Sequence, residues 1–237
     1  MRDQYAGDVS DVLKFGLLRK LAGADKTLGV AWYYVPENDG RPDGLHIEWR
    51  NEPAWQQVDS HVYTSLSALP ERSVCALERA EILPKSTLFH REPMPTQNER
   101  ADWCLRKRSS LHSADIVFLD PDNGIGDDPV KHATLSEIQG LRRNGRAVVV
   151  ITFPGRVRHD QLVQRLHERL RTGAGATNAF TVRTCVSVPR GDGTNHVMPR
   201  FRWFTVVDAD DHLKARALDF VRALAVVPRA TARLSEG

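Results

Sequence analysis

The residues best suited to chemistry are Asp120, Pro121, Asp122 and Asn123, which place two carboxylates, an amide and a proline-stiffened backbone in one short run. Ionised carboxylates accept hydrogen bonds and donate none, so such a run can hold an amine or take up a proton. An Asp-x-Asp pair can also divide the roles of nucleophile and general acid. The same Asp-Asn-Gly chemistry makes an ordinary turn. Position in the fold must separate these uses. Residues 116–119 form a short apolar run ending at this knot, which predicts a strand buried on both faces. Ligands of open α/β sheets bind beyond the carboxyl ends of such strands. Asp120, Pro121, Asp122 and Asn123 are therefore the candidate catalytic residues.

Other candidates stand earlier in the chain. Residues 8–22 have helical apolar spacing, with Val9, Val12, Leu13, Leu17 and Leu21 on one face and Phe15, Leu18 and Ala22 on a second. A helix apolar on two sides is largely buried, so Lys14 in its middle must snorkel out or meet an anion. Residues 28–35 predict the first strand. It runs into a loop dense in turn residues, where Glu37, Asn38 and Gly40 could approach a nucleotide-like cofactor. Residues 74–78 predict a second strand ending in Glu78, placed to accept hydrogen bonds from ribose hydroxyls.

The remaining elements must position these groups. Residues 45–72, with Trp49, Trp55 and Leu66, predict a helical insertion, and residues 86–90 a third strand. Residues 97–112 predict a helix that turns Trp103 and Leu105 inward and the run Arg106-Lys107-Arg108 outward. A short helix over 135–141 precedes a β-branched strand at 146–153. The helix that follows has Asp160 as its cap, and His167 on its solvated side. Strands at 180–188 and 201–207 are joined by a loop with Gly191 and Gly193 but no helical pattern. Parallel neighbours need a crossover, so this pair predicts an antiparallel hairpin. A helix over 211–225 closes the chain, and 229–237 predicts a flexible tail. Seven strands alternating with helices define an α/β, Rossmann-like three-layer sandwich. Its sheet is mostly parallel, ends in an antiparallel hairpin and belongs to a single domain over 1–228.

This layout is similar to that of class I S-adenosylmethionine-dependent methyltransferases. The N-terminal run Ala6-Gly7-Asp8-Val9-Ser10-Asp11-Val12-Leu13-Lys14 resembles the opening segment of the J-type ribosomal RNA adenine-N6 methyltransferases, and Asp11, Val12, Leu13 and Lys14 match it directly. The resemblance implies that Lys14, the loop from Glu37 to Gly40 and the ribose acid Glu78 hold S-adenosylmethionine. It implies that Asp120-Pro121 is the first half of the motif that receives the target amine. Asp122-Asn123 replaces that family's Pro-Tyr.

A second enzyme class shares part of this pattern. The apolar run into Asp120-Pro121-Asp122 also resembles the first motif of haloacid-dehalogenase-type phosphatases, with Asp120 as nucleophile and Asp122 as acid beside Mg²⁺. Asp208 with Asp211 would be that family's acidic motif. A Rossmann-like binding module without catalysis is the third reading.

Composition narrows the partners. The chain of 237 residues is 41% hydrophobic and 27% charged, ordinary for a globular protein and ample for a core. No apolar run reaches membrane-span length, and the N-terminus lacks a signal core, so a cytoplasmic protein is expected. Cys75, Cys104 and Cys185 are too far apart for a disulfide framework, and the histidines lack metal-ligand spacing, so no metal is expected. Cys75 and Cys185 are expected within strands. The net charge is only +3, but arginines cluster at 106–108, 142–146, 156–158 and 200–202. Arginine's planar fork suits phosphate, which makes RNA or DNA the candidate partner.

Overall fold

The protein is described here from a computed structural model covering residues 1–38, 40, 44, 46–155, 158–189 and 196–236. Asp39, residues 41–43 of the same loop, Arg156, and Gly191 and Gly193 of the hairpin loop lie outside the described residues.

Helix α1 (Val9–Ala22) starts where the Asp8 side chain accepts the Ser10 N–H at 2.8 Å, and it stops at Gly23. Twelve of its fourteen residues are buried, which makes it an internal element rather than a surface one. Strand β1 (Leu28–Trp32) follows. The next segment is helical, with 3-10 turns at Glu48–Asn51 and Pro53–Gln57 and then α2 (Ser60–Ser67). Helix α3 (Val74–Arg79), strand β2 (Leu88–His90) and helix α4 (Arg100–Ser110) lead to β3 (Ile116–Asp120). A two-strand ladder, β4 (Gly124–Ile125) with β5 (His132–Ala133), hangs from the end of β3. Then come α5 (Leu135–Leu141), β6 (Ala147–Thr152), α6 (His159–Gly173), β7 (Ala179–Pro189), β8 (Val197–Val207), α7 (Asp211–Leu224) and β9 (Ala230–Glu236).

The main sheet has seven strands in the order β2-β1-β3-β6-β8-β7-β9. The first four are parallel, and β8, β7 and β9 each pair antiparallel with the preceding neighbour. Alternation along the strands builds a core on each face. Val30, Phe118 and Val149 pack with α1 and α7 through Leu13, Leu17 and Phe220. Ala31, Val117 and Val150 pack the opposite way, with Trp103 of α4, Ile138 of α5 and Leu170 of α6. The protein is therefore α/β, with a mixed seven-stranded sheet between helices. Among the described residues no helix is long and apolar enough to cross a membrane.

Several sequence expectations need correction. Residues 74–78 are helix α3, not a strand, so Cys75 is helical; the Ser73 hydroxyl accepts the Ala76 N–H at 3.0 Å and sets the turn. Short apolar runs do not distinguish the two states by periodicity. The supposed tail contains β9, which pairs with β7 from Phe180↔Glu236 to Val186↔Ala230. The main sheet keeps seven strands, but one expected position is lost at 74–78 and one is gained at 230–236. Lys107 points inward, since it lies one turn from the buried Trp103, whereas Leu105 is 59% exposed. His167 is buried rather than solvated, and its Nε2 lies 2.8 Å from Thr181 Oγ1. Asp160 is not the cap of α6; Arg158 holds that position, and Asp160 in the first turn ion-pairs with Arg183 at 2.7 Å.

Candidate functional site

The carboxyl ends of the parallel strands open onto a cavity of about 710 Å³, within the range of small-ligand sites. Its walls come from the N-terminal segment, the first turns of α1, Gly44 and His46, the segment after β3 together with Lys131, the residues beyond β6 and the first half of β8. The antiparallel direction of β8 brings its beginning to this edge, beside the end of β6, where Thr152 pairs with Trp203.

The floor is a buried ionic cluster. Lys14, 3% exposed, lies 2.7 Å from Asp11 Oδ1 and 3.1 Å from Asp120 Oδ2, although Asp120 is 106 residues further along. Helical spacing puts Asp11 and Lys14 on one face. The backbone N–H of Gly7 donates to Asp11 Oδ2 at 2.7 Å, which fixes the first turn under the cluster. Burial raises the Asp11 pKa against the pull of Lys14. Burial also works against the Lys14 charge, but Asp11 and Asp120 outweigh it and hold the ammonium well above the ordinary lysine value. One cation therefore serves two anions, and the floor carries a surplus of negative charge.

Beyond Asp120 the backbone turns outward. Pro121 is buried, whereas Asp122 and Asn123 are exposed to the cavity. The Met1 amine donates to Asp122 Oδ1 at 3.1 Å and to the Tyr33 carbonyl at 2.6 Å. The Asn123 N–H donates to the Lys131 carbonyl, and its own carbonyl accepts from the Phe153 N–H at 3.3 Å. Gly124, at φ +114°, has no room for a side chain: a Cβ there would fall 2.5 Å from Thr152 Oγ1. The turn is thus clamped between β5 and the end of β6.

The opposite wall is basic. Arg200 and Arg202 occupy alternate positions of β8 and line the cavity together with Lys131 and His46. Arg202 donates from Nε to Ser10 Oγ at 2.7 Å, and its guanidinium lies 4.8 Å from the Phe153 ring centre. Burial lowers the Arg202 pKa, as does Arg200 beside it, while Asp8 counters both.

The fold thus brings Lys14, Asp120, Pro121, Asp122 and Asn123 to one cavity and leaves Glu37, Asn38, Gly40 and Glu78 off its walls. Asn38 Oδ1 accepts the Gly40 N–H at 2.9 Å in an exposed turn, and the Glu37 carbonyl accepts from Arg2. Glu78, on a helix rather than a strand tip, accepts the Trp32 indole N–H at 2.9 Å and lies 3.6 Å from Arg91. Burial raises its pKa despite Arg91. The acid following the strand next to β1 is Glu92, which ion-pairs with Arg106 at 2.7 Å. His46 and Lys131 are cavity residues for which the sequence held no local signal, because each lies outside the apolar patterns, and Phe201 was legible only as the start of a strand. Arg200 and Arg202 were visible only as a charge cluster.

No protein-family model matches this chain, and no curated protein does. The class that fold and site define together is an α/β protein with a polar cleft at the carboxyl edge of its parallel strands.

Proposed function

We propose that the chain is a class I methyltransferase-like protein with a Rossmann-like sheet. It binds S-adenosylmethionine in the cavity and acts on an amine of a nucleic-acid base. The observation that carries this reading is the meeting of Lys14 with Asp120. The two sequence features that resemble the J-type enzymes, far apart in the chain, contribute adjacent side chains to one cavity floor. The antiparallel pair β7 with β8 beside the parallel strands supports the same reading, with β9 added at the edge of the sheet.

The residues present fit the cofactor's charge. Two buried carboxylates around one ammonium favour a further positive group, and S-adenosylmethionine carries both a sulfonium and an α-ammonium. When bound it supplies an electrophilic methyl group. Asp120, already bound by Lys14, acts in this reading as part of the rigid floor. Asp122, 36% exposed at its side chain, is the carboxylate that faces solvent and can accept a hydrogen bond or proton from an incoming amine. The catalytic gain would come from orientation, with donor and acceptor held in a near-attack arrangement. Glu37, Asn38, Gly40 and Glu78 do not line this cavity, and the reading rests on the residues that do.

The phosphatase reading fares worse. Asp208 follows the carboxyl end of β8, which runs antiparallel to β6 with Val207 opposite Val148. Asp208 therefore sits at the other edge of the sheet from Asp120, roughly 15 Å away for a strand of this length. There it accepts from Arg142 at 2.5 Å and from the Thr177 N–H at 2.9 Å. Isothermal titration with S-adenosylmethionine and S-adenosylhomocysteine tests the proposal, with heat of binding expected for wild type and abolished in Asp120→Ala. No heat at millimolar ligand would remove the cofactor from the reading and leave a binding module without it.

A further inference from the structure

The charges of the cavity do not cancel within the protein. Each carboxylate on its walls is already engaged. Asp8 accepts from the Ser10 N–H, the Ser10 hydroxyl and the His46 N–H. Asp11 and Asp120 share Lys14, and Asp122 holds the Met1 amine. The basic wall has no such closure. Arg200 Nε is buried and has no acceptor, and neither Arg200 nor Lys131 has a carboxylate partner among the described residues. Arg202 donates to two neutral oxygens, Ser10 Oγ at 2.7 Å and the Phe201 carbonyl at 2.9 Å, and has no direct ion pair, although Asp8 and Asp11 lie near enough to favour its charge. Arg200 and Arg202 project to the same side of β8 two residues apart, so two like charges face one space. A guanidinium donor withdrawn from water without an acceptor is unfavourable, and an anionic oxygen between the two arginines would relieve both burial and repulsion.

We infer that Arg200, Arg202 and Lys131 form an anion-binding wall that takes a backbone phosphate of a single-stranded nucleic acid, holding the acceptor base over Asp122. This rests on the functional reading above and adds that the nucleic acid is single-stranded and is held through its phosphate. The Phe153 ring, with the Arg202 guanidinium 4.8 Å from its centre, lies beside the wall and offers an aromatic contact for an unpaired base, which a duplex could not present. The anionic oxygen has one other source, the α-carboxylate of the cofactor itself, and the two sources separate by experiment.

Binding of a short fluorescein-labelled single-stranded RNA, and of the DNA of equal sequence, is measured by anisotropy across a salt series. Each phosphate contact to a single strand contributes about −0.7 to the slope of log K against log salt, so three side chains predict a slope of roughly −2. Arg200→Gln is expected to weaken the oligonucleotide about tenfold and flatten the slope by about 0.7. Lys131→Gln, at the exposed rim, gives the same reading should Arg200→Gln melt early, and Arg200→Lys should restore part of the slope. S-adenosylhomocysteine affinity, titrated in parallel, is expected to stay within twofold. An unchanged oligonucleotide slope in both glutamine variants overturns the inference. So does loss of S-adenosylhomocysteine binding with oligonucleotide binding intact, which assigns the anion to the cofactor's carboxylate. Wild-type protein that binds S-adenosylhomocysteine but no oligonucleotide overturns the acceptor class alone. One that binds oligonucleotide but no S-adenosylhomocysteine overturns the cofactor reading alone.

Discussion

Two buried ionic clusters lie on opposite faces of the sheet, and their compositions are mirror images. Under α4, one anion serves two cations. Glu137 accepts from Arg100 Nε at 2.9 Å, from Lys107 Nζ at 3.3 Å, from Tyr33 OH at 3.1 Å and from Cys104 Sγ at 2.9 Å. At the cavity floor, one cation, Lys14, serves Asp11 and Asp120. The difference is in what meets the surplus. The excess positive charge beside Glu137 rests on aromatic faces, with Lys107 4.4 Å and Arg100 4.6 Å from the Trp103 ring centre. Glu137 also closes the capping box of α5 through the Thr134 N–H. That cluster is complete without a ligand. The excess negative charge at Lys14 instead faces a cavity. A closed network secures the fold, whereas an open one invites a partner.

The comparison can be broken most directly at Glu137. Glu137→Ala leaves two buried cations without an anion, and a loss of about 3–5 kcal/mol of stability is expected in urea unfolding. A loss below about 1 kcal/mol would mean that the closed cluster is not structural. Lys14→Met removes the other cluster's single cation, with an expected cost of about 3 kcal/mol near neutral pH. Here burial still raises the Asp11 pKa while the opposing pull of Lys14 is gone, so its folded value should lie further above the unfolded one. The variant should thus regain stability as pH falls and lose it as pH rises through those values, which thermal melts across pH can follow. A pH-independent deficit would show that Lys14 does not hold down the Asp11 pKa.

A third prediction concerns His90, which packs edge-on to Trp103 with ring centres 5.0 Å apart. Burial lowers its pKa from 6.5 to about 4, while Glu92 opposes the shift and Lys107 adds to it. The folded state favours the neutral ring, so this stability is present above pH 6.5 and is lost as pH falls towards 4. At about 1.4 kcal/mol per unit the loss is bounded at roughly 3.5 kcal/mol. His90→Phe should flatten the wild-type pH dependence between those values, and an unaltered slope would assign it elsewhere. The smallest effect is expected for Asp120→Asn. It leaves Lys14 paired one-to-one with Asp11, so stability should change by about 1 kcal/mol or less. Binding of S-adenosylmethionine should nevertheless weaken, since the surplus charge is gone. A variant that unfolds instead would make this cluster as structural as the one around Glu137.

Much of this arrangement can be traced to local pattern. Helix α1 follows from apolar spacing on two faces between Asp8 and Gly23, and the same spacing made Lys14 conspicuous. The β-branched run of β6 and the non-helical link between β7 and β8 likewise carry their own assignment. Asp120 stands at a strand end because apolar residues stop there. In these cases the determining interactions lie within a few residues, or the strand is buried on both faces whatever its neighbours.

The remainder depends on partners far away in the chain. Residues 74–78 suit a strand or a helix equally, and the Ser73 cap together with the Val74 N–H held by Asp3 decides for α3. Residues 230–236 become a strand only because β7 offers a free edge. Lys107 turns inward because Glu137, thirty positions on, waits beneath it. Lys14, by contrast, announced that it needed an anion, but local spacing could supply only Asp11. That the second anion is Asp120, and that the pair lies open to a cavity walled by Arg200 and Arg202, was decided by sheet order. Parallel β1 and β3 set Trp32 beside Asp120, and the antiparallel β8 returns its first residues to the same edge. Spacing along a chain selects which face of an element is apolar; only packing selects what that face meets.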